Sequence, residues 1–354
     1  MVKLASSTGK PLAAAPVVAF WIGSAVFMYM LLSSKQLVGW DTPAYTYYSG
    51  VLSQDGLGEF LIKTYYGSQG VLYYFLMVVV HNISGYSFFV CDKLLASVAF
   101  GGILVAPSVA AYRWTGKISL TLVVLAFSMI WQGPYVLASN LHSNELGLMI
   151  ALFGLTLALD AIVSGGKALV WSTMLFLLAS ISHPQTSAYL GVVMLCSATP
   201  LILRRRSRSM AIRVLVLLVA SCSLLLFSTV MLGQPRVIGP ILVPAQALEA
   251  QQTTVGLLWA LELMGHNVFP LFAFSVVVLA VDLAGGGING MMDKRRLSSL
   301  LLVLWVASTL SVWLLSYVWL TLYAYADRLL LLSPVPLVIA LGLERFLNRF
   351  GVRL

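Results

Sequence analysis

Charged side chains are scarce in this sequence: they make up 9% of its 354 residues, whereas 60% are hydrophobic. A soluble domain of this length cannot bury so much apolar surface, so a lipid bilayer must solvate most of the chain. There are only three cysteines, Cys91, Cys196 and Cys222, and they lie in or beside apolar segments. Their spacing fits neither a disulfide framework nor a zinc site. The lack of a Walker motif and of a GxGxxG fingerprint argues against nucleotide binding.

The basic residues lie in short clusters between the apolar runs. The formal net charge is +9, but this clustering is typical of loops held on the cytoplasmic side of a membrane. The run RRRSRSMAIR, 204–213, is one such cluster. We therefore expect membrane lipids, and no nucleic acid, among the partners.

Long apolar runs recur along the chain. A membrane-spanning helix needs ~20 mostly apolar residues, and about ten runs meet or nearly meet that length. They are 14–34, 87–112, 118–134, 145–164, 167–184, 186–203, 211–232, 264–284, 298–321 and 329–347. The basic N-terminus lacks an obvious signal-peptidase site, so the first run is expected to remain as a helix. The sequence thus predicts an all-α membrane protein with about ten transmembrane helices and no internal repeat.

A further run, VLYYFLMVVV at 71–80, is too short to cross the bilayer comfortably. If it does not cross, 16 of the 21 basic residues lie on the cytoplasmic side. The five on the external side are Lys35, Lys63, Lys93, Arg236 and Arg328. If the run crosses, this bias reverses. The positive-inside rule therefore predicts a helix at the outer interface. The chain then forms one membrane domain over 1–354, with both termini cytoplasmic, a first external loop at 35–86 and a second at 233–265.

Acidic residues gather on the predicted external face. Eight of the 12 lie on or near it, where few basic residues do. They are Asp41, Asp55, Glu59, Asp92, Glu145, Glu249, Glu262 and Asp327. A simple membrane anchor does not need this asymmetry, whereas it suits a catalytic or binding vestibule.

The first external loop opens with the segment GWDTPAYTYYSG, 39–50. Thr42 and Pro43 are typical of a helix start, because threonine can cap the helix and proline is tolerated at the first helical position. Apolar residues then recur at helical spacing as far as the turn at Asp55 and Gly56. The segment therefore predicts a short amphipathic helix.

Two more short helices are predicted in this loop, at 57–66 and 71–83. The loop's tyrosines, Tyr45 and Tyr73 among them, are expected mostly in the interfacial aromatic belt. Asp41 precedes the first helix and has two compatible roles. As an N-cap it would stabilise the helix by about 0.5–2 kcal/mol. As a rigidly held carboxylate at the bilayer surface, it would take a proton from an acceptor nucleophile.

Three segments carry a resemblance to a known family: GWDTPAYTYY, LYYFLMVVVHNISG and DKLLASVAFGGILVAPSVAAYRWTGK. This part of the chain resembles the GT-C superfamily of membrane glycosyltransferases. It has a long first external loop that opens with an aspartate and continues with amphipathic helices. A compact helix follows, and then a long helix that ends in a basic residue and Thr-Gly. The superfamily's members include protein O-mannosyltransferases, lipid A aminoarabinose transferases and the catalytic subunit of oligosaccharyltransferase. The resemblance is carried mainly by residues 14–160.

The resemblance implies a GT-C-like fold and an enzyme. Such enzymes transfer a sugar, with inversion, from a polyprenyl-phosphate-linked donor to a lipid, glycan or protein acceptor on the external face of the membrane. Asp41 would be the catalytic base. Glu145, in SNLHSNELGL, loosely matches the family's second acidic residue and would bind acceptor or sugar.

The chain also departs from the family pattern. No Asp-x-Asp pair lies near Glu145, so we predict no metal site and no cofactor. This pattern does not exclude a divalent metal. The sequence ends soon after its last apolar run, so we expect no soluble C-terminal domain. The expected location is a prokaryotic plasma membrane, with the active site on the external side.

Arginines near the external face are candidates for binding the donor's lipid phosphate, because a guanidinium can hold two phosphate oxygens at once. Arg328, in YAYADRLLLL, and Arg236, in GQPRVIGP, are placed for this role. The alternative for Arg328 is an interfacial anchor paired with Asp327.

Three further residues are candidates for the acceptor or sugar site. Glu262 and His266 lie where the second external loop returns to the membrane, and ionisable residues at that depth usually face a polar interior. His183, in SISHPQTS, lies at an external helix end. Its alternative role is a structural hydrogen bond.

Two other classes of function remain open. A lipid or solute transporter or flippase would keep the acidic vestibule, but it would be expected to show interrupted helices in repeated halves. A non-catalytic membrane scaffold would keep the fold without the chemistry. The distinguishing feature is whether Asp41 and a basic residue face one cavity that opens to the outer leaflet.

Overall fold

The computed structural model describes residues 10–34, 42–63, 71–131, 134–135, 138, 142–205, 207–231, 268–285, 294–316 and 334–352. Within these ranges every regular element is an α-helix, which confirms the all-α prediction for this part of the chain.

Each predicted apolar run contains a helix, and the first loop contains three more. In chain order the helices are α1 (Lys10–Ser33), α2 (Thr42–Gln54), α3 (Gly56–Lys63), α4 (Leu72–Ser84), α5 (Phe88–Thr115), α6 (Ile118–Ser128), α7 (His142–Ser164), α8 (Gly166–Ser182), α9 (Pro184–Arg205), α10 (Arg208–Met231), α11 (Phe269–Gly285), α12 (Lys294–Ser316) and α13 (Val335–Arg349).

Among the described residues, three stretches are long and apolar enough to cross a membrane: Ala15–Ser33 in α1, Phe88–Thr115 in α5 and His142–Ser164 in α7. They support a membrane protein, while the full set of ten crossings stays a prediction. Helix α4 has 13 residues. At 1.5 Å per residue it is about 20 Å long, less than the ~30 Å hydrocarbon core, which fits a helix that does not cross.

Helix α6 is shorter than the predicted run 118–134. It has 11 residues, because the chain turns after Ser128. The N–H of Met129 bonds to the carbonyl of Ala126, and that of Trp131 to the carbonyl of Ser128, both at three-residue spacing. This tighter turn ends the α-helix inside the apolar run.

Helices α2 and α4 of the first loop each end within two residues of a glycine in the left-handed conformation. Helix α2 begins at Thr42, as predicted, and Gly56 after it has φ 84°. Helix α4 ends at Gly85, which has φ 72° and whose N–H bonds to the His81 carbonyl at 2.8 Å. A left-handed residue at the end of a helix is strained unless it is glycine, so these positions fix the helix boundaries.

Helix α5 packs against both α1 and α7, and α7 also packs along α8. Small residues let α1 approach α5 closely, as is common between membrane helices. Gly101 of α5 lies against the backbone of Trp21, and the Trp21 indole N–H bonds to the Val98 carbonyl at 2.9 Å.

Gly101→Ala should therefore destabilise the protein by about 1–3 kcal/mol, since overpacking forces helices apart. The added Cβ would lie 2.7 Å from the Trp21 carbonyl oxygen. Gly23→Ala on α1 is the matched control, because its Cβ would meet nothing within 4 Å. The comparison is made by unfolding both variants in mixed detergent micelles. Equal stability of the two variants would contradict this account of the α1–α5 contact.

Ion pairs collect at one end of the bundle. Arg113 at the end of α5 is 2.7 Å from Asp160 near the end of α7, and Lys117 before α6 is 2.7 Å from Glu344 on α13. A third pair joins Arg345 and Asp282 at 3.6 Å. Each of the three pairs joins residues that are far apart in the sequence.

The same end receives Arg213 of α10. Its guanidinium donates to the carbonyls of Ile162 and Val163, which lie in the last turn of α7 and lack partners within the helix. Every basic residue in these contacts is one that the positive-inside rule assigns to the cytoplasmic side. The bundle therefore brings together, at one end, residues that the sequence predicts on one side of a membrane.

Candidate functional site

A buried polar cluster lies at the opposite end of the bundle. Its centre is Asp92 in the second turn of α5, whose side chain is fully buried. Asp92 Oδ1 accepts a hydrogen bond from the Tyr73 hydroxyl of α4 at 2.5 Å. The same oxygen is 2.9 Å from Nδ1 of His142, the first residue of α7.

His142 is fully buried and has oxygen atoms near both ring nitrogens. Nδ1 faces the Asp92 carboxyl, and Nε2 is 3.0 Å from the carbonyl oxygen of Ala138. The imidazole is therefore fixed at both ends. It links the start of α7 to α5.

Two tyrosines attach the first-loop helices to this cluster. The Tyr45 hydroxyl of α2 is 3.3 Å from the Ser143 hydroxyl, and the Tyr45 ring stacks on His142 with 5.5 Å between centroids. Burial, reinforced by the nearby Asp92 carboxyl, raises the pKa of the Tyr73 hydroxyl well above its ordinary value. Tyr73 therefore stays protonated and acts as a hydrogen-bond donor.

Glu145 lies one helical turn after His142, close enough for the Asp92 carboxyl to act on it electrostatically. Its side chain is fully buried. Within the described part of the chain, neither Glu145 oxygen has a hydrogen-bond partner, and neither does Asp92 Oδ2. The structure thus brings the predicted Glu145 into a site with residues that the sequence analysis did not select.

His183 lies between α8 and α9, at the same end as Glu145. Its Nδ1 accepts hydrogen bonds from the Thr186 backbone N–H at 3.2 Å and the Thr186 hydroxyl at 2.8 Å, so it caps the first turn of α9. It also packs against Gly147 of α7, where an added Cβ would lie 2.7 Å from the His183 Cβ. These contacts favour the structural alternative, and a role in sugar binding stays a prediction.

The other predicted site residues lie outside the described residues: Asp41, Arg236, Glu262, His266 and Arg328. Their roles stay predictions, as does the second external loop at 233–265. The helix expected directly after Asp41 is present and begins at the next residue.

The sequence did not predict that Tyr45, Tyr73, Asp92 and His142 belong to one site. Asp92 was expected only as one of the external acidic residues, and the two tyrosines were expected mostly in the aromatic belt, but both tyrosines are buried. Two signals could have found part of the cluster. An aspartate inside an apolar run is costly and usually functional, and a histidine three residues before Glu145 lies on the same helix face.

The cluster brings two buried carboxyls, an imidazole and two tyrosine hydroxyls together at one end of the bundle. Among the described residues, no group of three or more His, Cys, Asp or Glu side chains is arranged to hold a metal ion. No family model, no curated protein and no solved structure matches this chain. The geometry of the site therefore carries the functional reasoning.

Proposed function

We propose that this protein is a membrane glycosyltransferase that moves a sugar from a polyprenyl-phosphate-linked donor to an acceptor on the external face of the plasma membrane. One observation carries the proposal: helices of the first loop pack onto a buried cluster of two carboxyls and a histidine. Ionisable groups are expensive inside a membrane protein, and they usually serve a substrate or proton path.

The first-loop helix α2 links this cluster to the proposed base. Thr42, its first residue, is fully buried, and Tyr45 one turn later contacts His142 and Ser143. Asp41 directly precedes Thr42 in the sequence. A carboxylate at this position suits proton transfer from an acceptor, because a group at the start of a docked helix is held rigidly.

The remaining predicted residues complete the mechanism. The acceptor oxygen attacks the anomeric carbon as Asp41 takes its proton, and the bond to the lipid phosphate breaks with its electron pair on the phosphate. Arg328 or Arg236 would stabilise that charge, and Glu145 would contact sugar or acceptor together with Glu262 and His266. Orientation of the reactants and stabilisation of the leaving group would supply most of the rate enhancement.

An apolar cavity of about 260 Å³ supports a lipid-linked substrate. It is lined by Phe20 and Phe27 of α1, by Phe100 and Leu104 of α5, and by residues that follow α6. Phe100 is eight residues from Asp92, about 12 Å along the helix axis. A hydrocarbon chain in this cavity would lie about 12 Å from the polar cluster along α5.

A proton-coupled transporter is the second candidate. The observation that favours it is the buried contact between Asp92 and His142, since chains of aspartate, glutamate and histidine serve as proton relays in pumps and transporters. A glycosyltransferase would change the composition of a glycan, whereas a transporter would move a solute across the membrane.

Asp41→Asn should abolish the transfer of one sugar to a cell-surface glycan, because asparagine can cap a helix but cannot accept the proton. A host that lacks the gene is complemented with the wild type or with the variant, and surface glycans are profiled by mass spectrometry at matched membrane abundance. Asp55→Asn is the matched control: Asp55 also belongs to the first loop, but it is exposed and bonded to Lys63 at 3.2 Å.

The three outcomes separate the candidates. Loss of one sugar with Asp41→Asn but not with Asp55→Asn supports the base, and the mass difference identifies the sugar. Full activity of the Asp41→Asn variant would show that Asp41 acts only as a helix cap. If no glycan depends on the gene, the glycosyltransferase proposal is wrong and the transporter becomes the leading candidate.

A further inference from the structure

The predicted cytoplasmic side of the protein carries a large surplus of positive charge. The positive-inside rule assigns 16 basic residues to it, against four acidic ones: Asp160, Asp282, Asp293 and Glu344. Three of these acids are paired with a lysine or an arginine at that end of the bundle, and Asp293 lies outside the described residues. Even with all four acids paired, a surplus of 12 positive charges is left, and anions from outside the chain must balance it.

Part of this surplus lies where α8 and α10 begin. From 161 to 248 the sequence contains no aspartate or glutamate, but Lys167 lies in the first turn of α8 and Arg208 begins α10. The two helices pack against each other. Arg213 of α10 reaches the turn before α8, because a Cβ added to Gly165 would lie 3.0 Å from its Nε. Lys167, Arg208 and Arg213 therefore form a basic corner at adjoining helix ends.

An exposed apolar stripe follows the basic residue on each of the two helices. Lys167 and Arg208 are themselves exposed. Each is followed at four, seven and eleven positions by an exposed apolar residue, and this spacing places the residues on one helix face. They are Trp171, Met174 and Leu178 on α8, and Ile212, Leu215 and Val219 on α10.

The length of these stripes matches one leaflet of a bilayer. Eleven residues of helix span about 16 Å, and half of the hydrocarbon core is ~15 Å thick. A phospholipid has the same arrangement, with a headgroup at the surface and acyl chains that reach the middle of the bilayer. A net negative headgroup would complement the basic residue at the end of each stripe.

We propose that the basic corner binds anionic phospholipids of the cytoplasmic leaflet, with Lys167 and Arg208 at the headgroups and the two apolar stripes along the acyl chains. Basic clusters at the cytoplasmic ends of membrane helices attract anionic lipids. The long side chains of lysine and arginine reach the headgroup level from a helix end. The acid-free stretch 161–248 supplies no carboxylate to compete with the lipid for these two residues.

Arg349 in the last turn of α13 provides a matched comparison. It is exposed and lies at the same end of the bundle, near the Lys117–Glu344 pair. The residues seven and eleven positions before it, Gly342 and Val338, are buried. Arg349 therefore has the same charge as Arg208 but lacks an apolar stripe for an acyl chain.

This binding site is independent of glycosyl transfer. It lies at the opposite end of the bundle from the cluster around Asp92, and lipid binding can be measured without a donor or an acceptor. Failure of the glycosyltransferase proposal would leave this one unchanged, and the reverse is also true.

Native mass spectrometry of the full chain tests the proposal. The protein is equilibrated in micelles that contain equal amounts of phosphatidylglycerol and phosphatidylcholine, and the ratio of the two retained lipids is measured. We expect the wild type to retain phosphatidylglycerol in excess. Lys167→Gln and Arg208→Gln should each lower the ratio by about fivefold, the usual effect of one basic residue at an anionic surface. Arg349→Gln should leave the ratio nearly unchanged.

Two results would overturn the proposal. Equal retention of both lipids by the wild type would show that the corner does not select anionic headgroups. A loss in Arg349→Gln as large as that in Arg208→Gln would show that any charge at this end has the same effect. If the corner variants do not fold, a salt series on the wild type replaces them, because salt screens exposed charges. The excess of phosphatidylglycerol should then fall as salt rises, and an excess that does not respond to salt would contradict a charged site.

Discussion

Asp92→Ala should destabilise the protein by about 3–5 kcal/mol, because it leaves two buried polar side chains without the carboxyl that they contact and opens a cavity between three helices. The substitution takes away the carboxylate oxygen that accepts both the Tyr73 hydroxyl and His142 Nδ1. It leaves the buried Tyr73 hydroxyl and the buried His142 ring without the Asp92 carboxyl, and it also removes the link between α4, α5 and α7. The free energy of unfolding in mixed detergent micelles measures the effect.

A double variant separates the contact between Asp92 and His142 from the packing around them. Asp92→Asn with His142→Gln keeps polar groups of similar size. Its loss of stability should be smaller than the sum of the two single losses by about 1–3 kcal/mol, because side chains in direct contact are energetically coupled. Asp55→Ala, at an exposed residue, should leave stability nearly unchanged. Additive losses in the cycle would contradict a stabilising contact between Asp92 and His142.

Lys117→Ala should have the second-largest effect on stability, about 3 kcal/mol, because it leaves Glu344 as a buried charge without this counter-ion. Glu344 is fully buried on α13, and Lys117 Nζ, 2.7 Å away, joins the start of α6 to that helix. The lysine side chain is 24% exposed, which places the expected cost at the lower end of the range for buried pairs.

The matched control is the neighbouring pair at the same end of the bundle. Arg113→Ala breaks a contact of 2.7 Å whose partners are 41% and 25% exposed. Water screens such a pair, so the loss should not exceed about 1 kcal/mol. Combining Lys117→Met with Glu344→Gln should recover most of the stability lost in Lys117→Ala. If Arg113→Ala and Lys117→Ala cost the same, burial is not what distinguishes the two pairs.

The sequence by itself determined the helical class and most helix positions. Apolar runs of membrane length, the helix start at Thr42-Pro43 and the turn at Asp55 and Gly56 depend only on neighbouring residues, so they could be predicted from the sequence. The three helices of the first loop were predicted on the same basis. Charge clustering also grouped Arg113, Lys117 and Arg345, which the structure places at one end of the bundle.

Only the tertiary structure decided the composition of the buried cluster. Tyr45, Tyr73, Asp92 and His142 lie on four different helices, and the order of a sequence does not state which helix ends meet. The residues next to a tyrosine in the sequence do not distinguish one at the membrane interface from one buried against an aspartate. Tyr45 and Tyr73 were expected at the interface and are buried. What separates them is packing between distant segments, because that packing brings the Asp92 carboxyl within 2.9 Å of the His142 ring and buries Glu145 beside them.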